Sequence, residues 1–247
     1  MNRPVLLVVA HGSRDPRHAA TVQALVRRAG ALRPGLRVET AFLDFNLPSV
    51  TGVLDRLAAE GVRDVVALPL LLTRAFHAKA DVPAVLRQAP PSLRIRQAEV
   101  LGPSPLLVAA VERRLYEAGL TPGDKSTTGV VLASAGSTDP EAIAVIAETA
   151  RELRRTGWCS VRPAFASASL PRTEDAVLAL RADGVRRVAV APYVIAPGRL
   201  PDRIAAGAAE ADVLADVLGP SPELAALLVE RYDGALRASE CVTAAAG

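Results

Sequence analysis

Short apolar runs alternate with longer amphipathic segments along this chain. In the first half, the apolar runs cover residues 5–10, 37–43, 64–70 and 95–101. Between and after them, helical patterns cover residues 16–32, 48–59, 81–89 and 104–118. Continuous Val, Leu and Ala runs are typical of strands buried on both faces. The alternation therefore predicts a mostly parallel sheet with helices on both faces, joined by right-handed crossovers.

The second half repeats the first. The stretch "VVAHGSRDP" at 8–16 returns as "LASAGSTDP" at 132–140, and "GVRDVVALPLLL" at 61–72 returns as "GVRRVAVAPYVI" at 184–195. "VETAFLDF" at 38–45 matches "VRPAFASA" at 161–168, and "LGPSP" occurs twice. We therefore predict two similar α/β/α domains related by internal duplication, at residues 1–120 and 128–247. Residues 121–127 have the composition of a linker.

The repeated turn contains a histidine in the first copy only. Asp15 suits a helix N-cap and Pro16 the first helical position, so these residues can serve simply to begin a helix. The second copy keeps both, as Asp139 and Pro140, and is therefore expected to begin its helix in the same way. His11, which Ala135 replaces in the second copy, is the residue that this architecture does not require.

Three polar side chains follow three successive predicted strands of the first copy. His11 and Asp44 follow the first and second strands, and His77 lies in the loop after the third. Because ligands of open α/β sheets bind outside the carboxyl ends of the strands, we expect these side chains to lie near one another. The second copy has Ser167 opposite Asp44 and no histidine within 198–200, the region opposite His77.

Two imidazoles and a carboxylate suit a borderline divalent metal such as Fe²⁺, Co²⁺ or Ni²⁺. Three protein ligands would leave coordination positions open, as a catalytic or metal-transfer site needs. Each histidine taken alone could also be a satisfied loop residue. His18, on the helix after the turn, is expected at the surface, and a role as auxiliary ligand or proton relay stays open for it.

Composition excludes several other classes of protein. The 247 residues are half hydrophobic, and 29 basic against 26 acidic residues leave a net charge of only +3. Aromatic residues make up 3% of the chain, so a base-stacking nucleic-acid surface is not expected. Cys159 and Cys241 lack metal or redox spacing and are expected to be reduced thiols in a cytoplasmic protein. No apolar run has the length of a membrane span or signal peptide, so no membrane partner is expected.

At these residues the sequence resembles the sirohydrochlorin chelatases, the class II chelatases of sirohaem and cobalamin synthesis. The resemblance covers nearly the whole chain and rests on "LLVVAHGSRDP", "VETAFLDFNLPSV", "ALPLLLTRAFHAKADVP" and "VLGPSP". It implies a long, two-domain chelatase that inserts Fe²⁺, or alternatively Co²⁺, into sirohydrochlorin. In short relatives the metal is Ni²⁺. The metal would be a co-substrate, with no tightly bound cofactor and a monomeric chain.

The resemblance also assigns roles by position. His11 and His77 match the two metal-binding, catalytic histidines, and Asp44 matches a position that is commonly glutamate. The shorter aspartate leaves open whether this carboxylate contacts the metal or relays protons. Because sirohydrochlorin carries eight carboxylates, hydrogen-bonding and cationic side chains are expected at the substrate's rim. The predicted substrate-binding residues are Ser13, Arg14, Arg74, Lys79 and, from the second copy, Arg199.

Two other functions fit parts of the same pattern. A metal or tetrapyrrole carrier would use the same ligands without turnover. A hydrolase of the histidine-phosphatase type also places His-Gly after its first strand, but in an Arg-His-Gly setting. Here Ala10 precedes His11, so the arginine that would bind phosphate is missing.

Overall fold

A computed structural model describes residues 3–74 and 80–245 of the chain. Its backbone divides into two compact units. The first is formed by Met1–Gly102 together with Pro222–Gly247, and the second by Pro103–Ser221. The predicted architecture of two similar α/β units is confirmed.

The strands, in chain order, are β1 Val5–Ala10, β2 Val38–Phe42, β3 Asp64–Pro69, β4 Arg94–Gln97, β5 Thr128–Ser134, β6 Ser160–Phe165, β7 Arg187–Tyr193 and β8 Val213–Leu214. The helices are α1 Pro16–Leu32, α2 Val50–Ala59, α3 Val82–Leu86, α4 Pro105–Glu117, α5 Pro140–Arg155, α6 Thr173–Ala182, α7 Arg199–Ala206 and α8 Pro222–Ala245. In the part of the chain that the structure describes, no helix has both the length and the apolar character needed to cross a membrane.

Both sheets are parallel and share one strand order. The first runs β2-β1-β3-β4 and the second β6-β5-β7-β8. Even the register repeats, since Val9 pairs with Ala41 and Pro69 while Ala133, its counterpart, pairs with Ala164 and Pro192. The internal duplication read from the sequence is therefore a duplication of backbone geometry.

The central strand of the first unit is buried on both faces. Val5, Leu7 and Val9 pack into one apolar cluster with residues of α2 and α3. Leu6 and Val8, which alternate with them and point to the opposite face, are fully buried as well. The continuous apolar run thus reflects a strand covered on both sides, as parallel sheets require.

The fourth strand is shorter than predicted, ending at Gln97 rather than near residue 101. Its ladder with β3 pairs Ala67 with Gln97, and the Ala98 N–H still donates to the Ala67 carbonyl at 2.8 Å. The next donor from β3 would be residue 69, which is a proline and has no N–H. The apolar residues beyond Gln97 therefore continue as buried irregular chain.

The helix that ends each sequence repeat packs in the other unit. In the first unit, α8 covers α1 and β3, and its Tyr232 hydroxyl donates to the Pro4 carbonyl at 2.7 Å. Arg231 of the same helix donates to the Val100 and Leu101 carbonyls at 2.8 and 2.7 Å. The compact units therefore differ from the predicted bounds of 1–120 and 128–247. Since the halves are alike, the last helix of either can bury its apolar face on either sheet.

The corresponding helix of the second unit, α4, is anchored in part through a carboxylate. In that unit α4 packs on β7 and α5, and its Glu112 accepts from Lys125 Nζ at 2.5 Å and Trp158 Nε1 at 3.1 Å. The Trp158 ring is buried, and the Lys125 ammonium lies 5.7 Å from its centroid. Lys125 belongs to the segment predicted as a linker, which thus contributes contacts within the second unit.

Tyr232→Ala should destabilise the first unit although residue 232 lies in the second sequence repeat. Tyr232 is fully buried, so we expect the free energy of unfolding to fall by about 3–5 kcal/mol. Hydrogen exchange should show faster exchange in β1 and β3. The exposed Leu178→Ala serves as the control and should change stability by less than about 0.5 kcal/mol. Faster exchange confined to β5 and β7 would contradict the assignment of α8.

Candidate active site

His11 lies in the loop between β1 and α1, at the carboxyl edge of the first sheet. The loop is short because β1 ends at Ala10 and Asp15 caps α1, accepting from the Arg17 N–H at 2.9 Å. The predicted capping role of Asp15 is thus confirmed. His11 is half-buried, and its imidazole is directed into a loop environment rather than the sheet core.

The loop after β2 packs directly on the His11 loop. The Asp44 N–H donates to the His11 carbonyl at 2.9 Å, and the Ser13 N–H donates to Asn46 Oδ1 at 2.7 Å. Gly12 lies at the contact with φ of +97°, and a Cβ there would come within 1.9 Å of the Asp44 carbonyl oxygen. Only glycine allows both the conformation and the close approach.

The second unit builds the same pair of loops without the candidate chemistry. The Ser167 N–H donates to the Ala135 carbonyl at 3.0 Å, and a Cβ on Gly136 would lie 1.9 Å from the Ser167 carbonyl oxygen. Ser169 takes the place of Asn46, accepting from the Ser137 N–H at 3.4 Å. The glycine, serine and cap are therefore architecture, and the imidazole and carboxylate are additions to it.

Asp44 lies beside His11 on the neighbouring loop, as predicted. Asp44 is exposed, and its Oδ1 accepts a hydrogen bond from the Phe45 N–H at 2.8 Å. This bond satisfies a donor of a tight loop and leaves the carboxylate at the surface of the carboxyl edge. The structure thus brings His11 and Asp44 together through a backbone hydrogen bond between their residues.

His77 and Lys79 lie outside the described residues, so their predicted roles stay predictions. The preceding strand is placed, however, because Pro69 at the end of β3 pairs with Val9 of β1. The chain therefore leaves β3 at the same edge as His11. Among residues 3–74 and 80–245, no three His, Cys, Asp or Glu side chains are arranged to hold a metal ion.

The predicted substrate-binding side chains differ in their surroundings. Arg14 is exposed, with its guanidinium carbon 5.3 Å from the centroid of the Phe45 ring. Arg74 forms an ion pair with Glu99 in which both side chains are exposed. Exposed pairs contribute little stability, so this ion pair holds Arg74 only weakly. Ser13 Oγ accepts from the Asp15 N–H at 3.1 Å, and Arg199 is the first residue of α7 in the second unit.

His18, expected at the surface, is half-buried on the first turn of α1. Its Nδ1 is buried and has no hydrogen-bond partner among the described residues. This burial lowers the pKa of His18 below its usual value, and the positive charge that His11 can carry lowers the pKa further. Both effects disfavour the protonated form of this imidazole.

Sequence reasoning missed Phe45 and Asn46. Phe45 has a left-handed backbone with φ of +61°, and its ring stacks on His11 with 6.2 Å between centroids. Ala168, at the equivalent position of the second unit, has φ of +60°. Comparing the repeats would have revealed this aromatic residue, because an alanine stands opposite it in the copy that lacks the histidine.

A protein-family model described as CbiX matches residues 5–118 and 129–235. The chain is 27% identical to the sirohydrochlorin cobaltochelatase of Priestia megaterium, over 94% of this chain and 79% of that protein. It is 28% identical to the sirohydrochlorin ferrochelatase of Bacillus subtilis (strain 168), over 82% of this chain and 78% of that protein. A solved structure of SirB from Bacillus subtilis with Fe3+ shares the fold, with a TM-score of 0.82, 24% identity and coverage of 96% of this chain and 97% of that one.

Substituting the glycine at each loop contact tests whether close approach or backbone conformation matters. Gly12→Ala and Gly136→Ala should both destabilise by at least about 1–3 kcal/mol, because both combine positive φ with a blocked Cβ position. Gly35→Ala is the matched control, since Gly35 has φ of +82° with nothing within 4 Å of its Cβ position. In chemical denaturation, Gly35→Ala should lower the free energy of unfolding by less than the other two substitutions do. Equal losses at all three positions would remove the argument from close approach.

Proposed function

This chain belongs to the CbiX family, and on that basis we propose that it is a sirohydrochlorin chelatase, an enzyme that inserts a divalent metal into sirohydrochlorin. The observation that carries the proposal is the family match across both repeats, together with a histidine at the carboxyl edge of the first sheet. Both curated relatives described above act on sirohydrochlorin by name, one with cobalt and one with iron. We propose Fe²⁺ as the metal, with Co²⁺ as the second candidate.

The reaction releases two pyrrole N–H protons for each M²⁺ that enters the ring. The neutral imidazoles of His11 and His77 would hold the incoming metal and yield it to the pyrrole nitrogens. A neutral imidazole can also accept a released proton as a general base. Asp44 would pass protons from the site to water, a role supported by its exposed carboxylate beside His11.

The substrate's carboxylates would be held by cationic and hydrogen-bonding side chains. Arg14 is the best supported, because it is exposed and lies within the His11 loop. Arg74 can join it by exchanging Glu99 for a substrate carboxylate. Ser13, Lys79 and Arg199 complete the proposed set. Guanidinium groups suit this task because they bind carboxylates through two parallel hydrogen bonds.

We further propose that the chain acts as a monomer in the cytoplasm, with the metal as co-substrate and no tightly bound cofactor. The duplication supports the monomeric state, since one chain supplies two units that two short chains would otherwise supply. The free Cys159 suits a reducing compartment.

The proposal is tested by mixing the protein with metal-free sirohydrochlorin and Fe²⁺ or Co²⁺ without oxygen. Metal insertion changes the absorption spectrum of the tetrapyrrole, so turnover can be followed directly. An enzyme would convert many equivalents of substrate, and competition between the metals would rank them. Conversion that stops at one equivalent would instead support the carrier hypothesis.

His11→Ala or His77→Ala should reduce turnover at least about a hundredfold, the scale of losing a general base or ligand. Folding should survive the first change, because the second unit forms the same loop around Ala135. Ala135→His is the matched control. It should leave activity unchanged, since Ser167 stands where Asp44 would be needed. Restoration of full activity in a His11→Ala, Ala135→His protein would show that the two units are interchangeable.

Asp44→Asn separates the chemical role of this carboxylate from its loop contact. An asparagine can still accept from the Phe45 N–H, so the loop should persist while metal insertion slows. Sirohydrochlorin affinity should stay the same and Asp44→Glu should be tolerated. An unaffected rate in Asp44→Asn would reduce Asp44 to a loop-capping residue.

A further inference from the structure

We propose that Phe45 is a substrate-positioning residue whose exposed ring stacks on the face of the tetrapyrrole and holds it over His11. This inference rests on the proposed function.

The Phe45 ring is accessible to solvent. Phe45 is 50% exposed, whereas Phe42 at the end of β2 and Phe165 at the equivalent end of β6 are buried. Leu47, two residues later, is 83% exposed, but so is its counterpart Leu170 at 73%, so that exposure belongs to the repeated loop. Phe45 alone places an exposed aromatic ring beside His11, in a chain with only 3% aromatic residues. Apolar surface of this kind at a site rimmed by polar groups is typical of a ligand-binding face.

The backbone of Phe45 has an unusual conformation. A bulky residue with φ of +61° is rare and costs of order 1–3 kcal/mol. The cost by itself belongs to the architecture, because Ala168 adopts the same conformation in the second unit. Alanine therefore fits this position, and the phenylalanine is not needed to form the loop. The first unit, which has the histidine, differs from the second in having an aromatic ring at this position.

The Phe45 ring has His11 and Arg14 as neighbours. The Phe45 ring is inclined by 29° to the His11 imidazole, and the Arg14 guanidinium lies over the ring at 5.3 Å. An apolar platform, a nitrogen ligand and a cation thus occur within two adjacent loops. Sirohydrochlorin has the complementary chemistry of a flat conjugated ring with carboxylates around its edge. When Arg14 swings off the Phe45 ring to pair with a carboxylate at the margin, the ring face that it covers is uncovered for stacking. Stacking there would place the pyrrole nitrogens near His11.

The test compares Phe45→Ala, Phe45→Tyr and the wild-type protein in sirohydrochlorin binding and turnover. Loss of the ring should raise both the Kd and the KM for sirohydrochlorin about tenfold, the scale of one aromatic stacking contact with the burial that accompanies it. Phe45→Tyr should retain the wild-type values, because its ring also stacks. The Kd for Co²⁺ alone should be the same in all three proteins.

Ala168→Phe is the matched control, placing a ring on the same backbone conformation in the second unit. It should leave the KM for sirohydrochlorin unchanged. A fall in kcat with unchanged KM in Phe45→Ala would overturn the inference by showing that the ring acts through His11. Unchanged kcat and KM would overturn it as well. Absence of turnover in the wild-type protein would instead count against the proposed function, while direct binding would still test Phe45.

Discussion

The candidate site depends on one close approach between two loop backbones. The Asp44 carbonyl packs where a Cβ of residue 12 would be, and the Asp44 N–H donates to the His11 carbonyl. This contact joins the carboxyl ends of β1 and β2, and it places the histidine beside the carboxylate. It also carries the chain into the left-handed conformation at Phe45. The placement of His11 beside Asp44 therefore depends on Gly12, which has no side chain to contribute to the site.

The duplication separates what the fold requires from what the chemistry requires. Gly136, the caps and the left-handed residue persist in the second unit because the same strands and loops must be connected there. The imidazole, the carboxylate and the aromatic ring are absent at the equivalent positions, which hold Ala135, Ser167 and Ala168. Small side chains at those positions leave the loop hydrogen bonds intact. The second unit thus shows that these loops form without a histidine, an aspartate or an aromatic ring at the three positions.

The exchange of terminal helices ties the first unit to the end of the chain. Its sheet is covered on one side by α8, whose Tyr232 and Arg231 donate to backbone carbonyls near the strands. Fully buried residues such as Leu227 and Leu228 belong to the same helix. A sheet of short parallel strands needs both faces covered. The unit that holds His11 is therefore completed only by the last residues of the second repeat.

The sequence by itself determined the strand and helix order, the duplication, the cap at Asp15 and the placement of His11 and Asp44 at strand ends. These follow from local patterns, because apolar periodicity and turn residues act over a few positions. The exchange of α4 and α8, the early end of β4 and the stacking of Phe45 on His11 were decided only in the tertiary structure. Each depends on residues far apart in the chain or on backbone conformation. Two similar helices offer the same apolar pattern to two similar sheets, so periodicity alone cannot assign them.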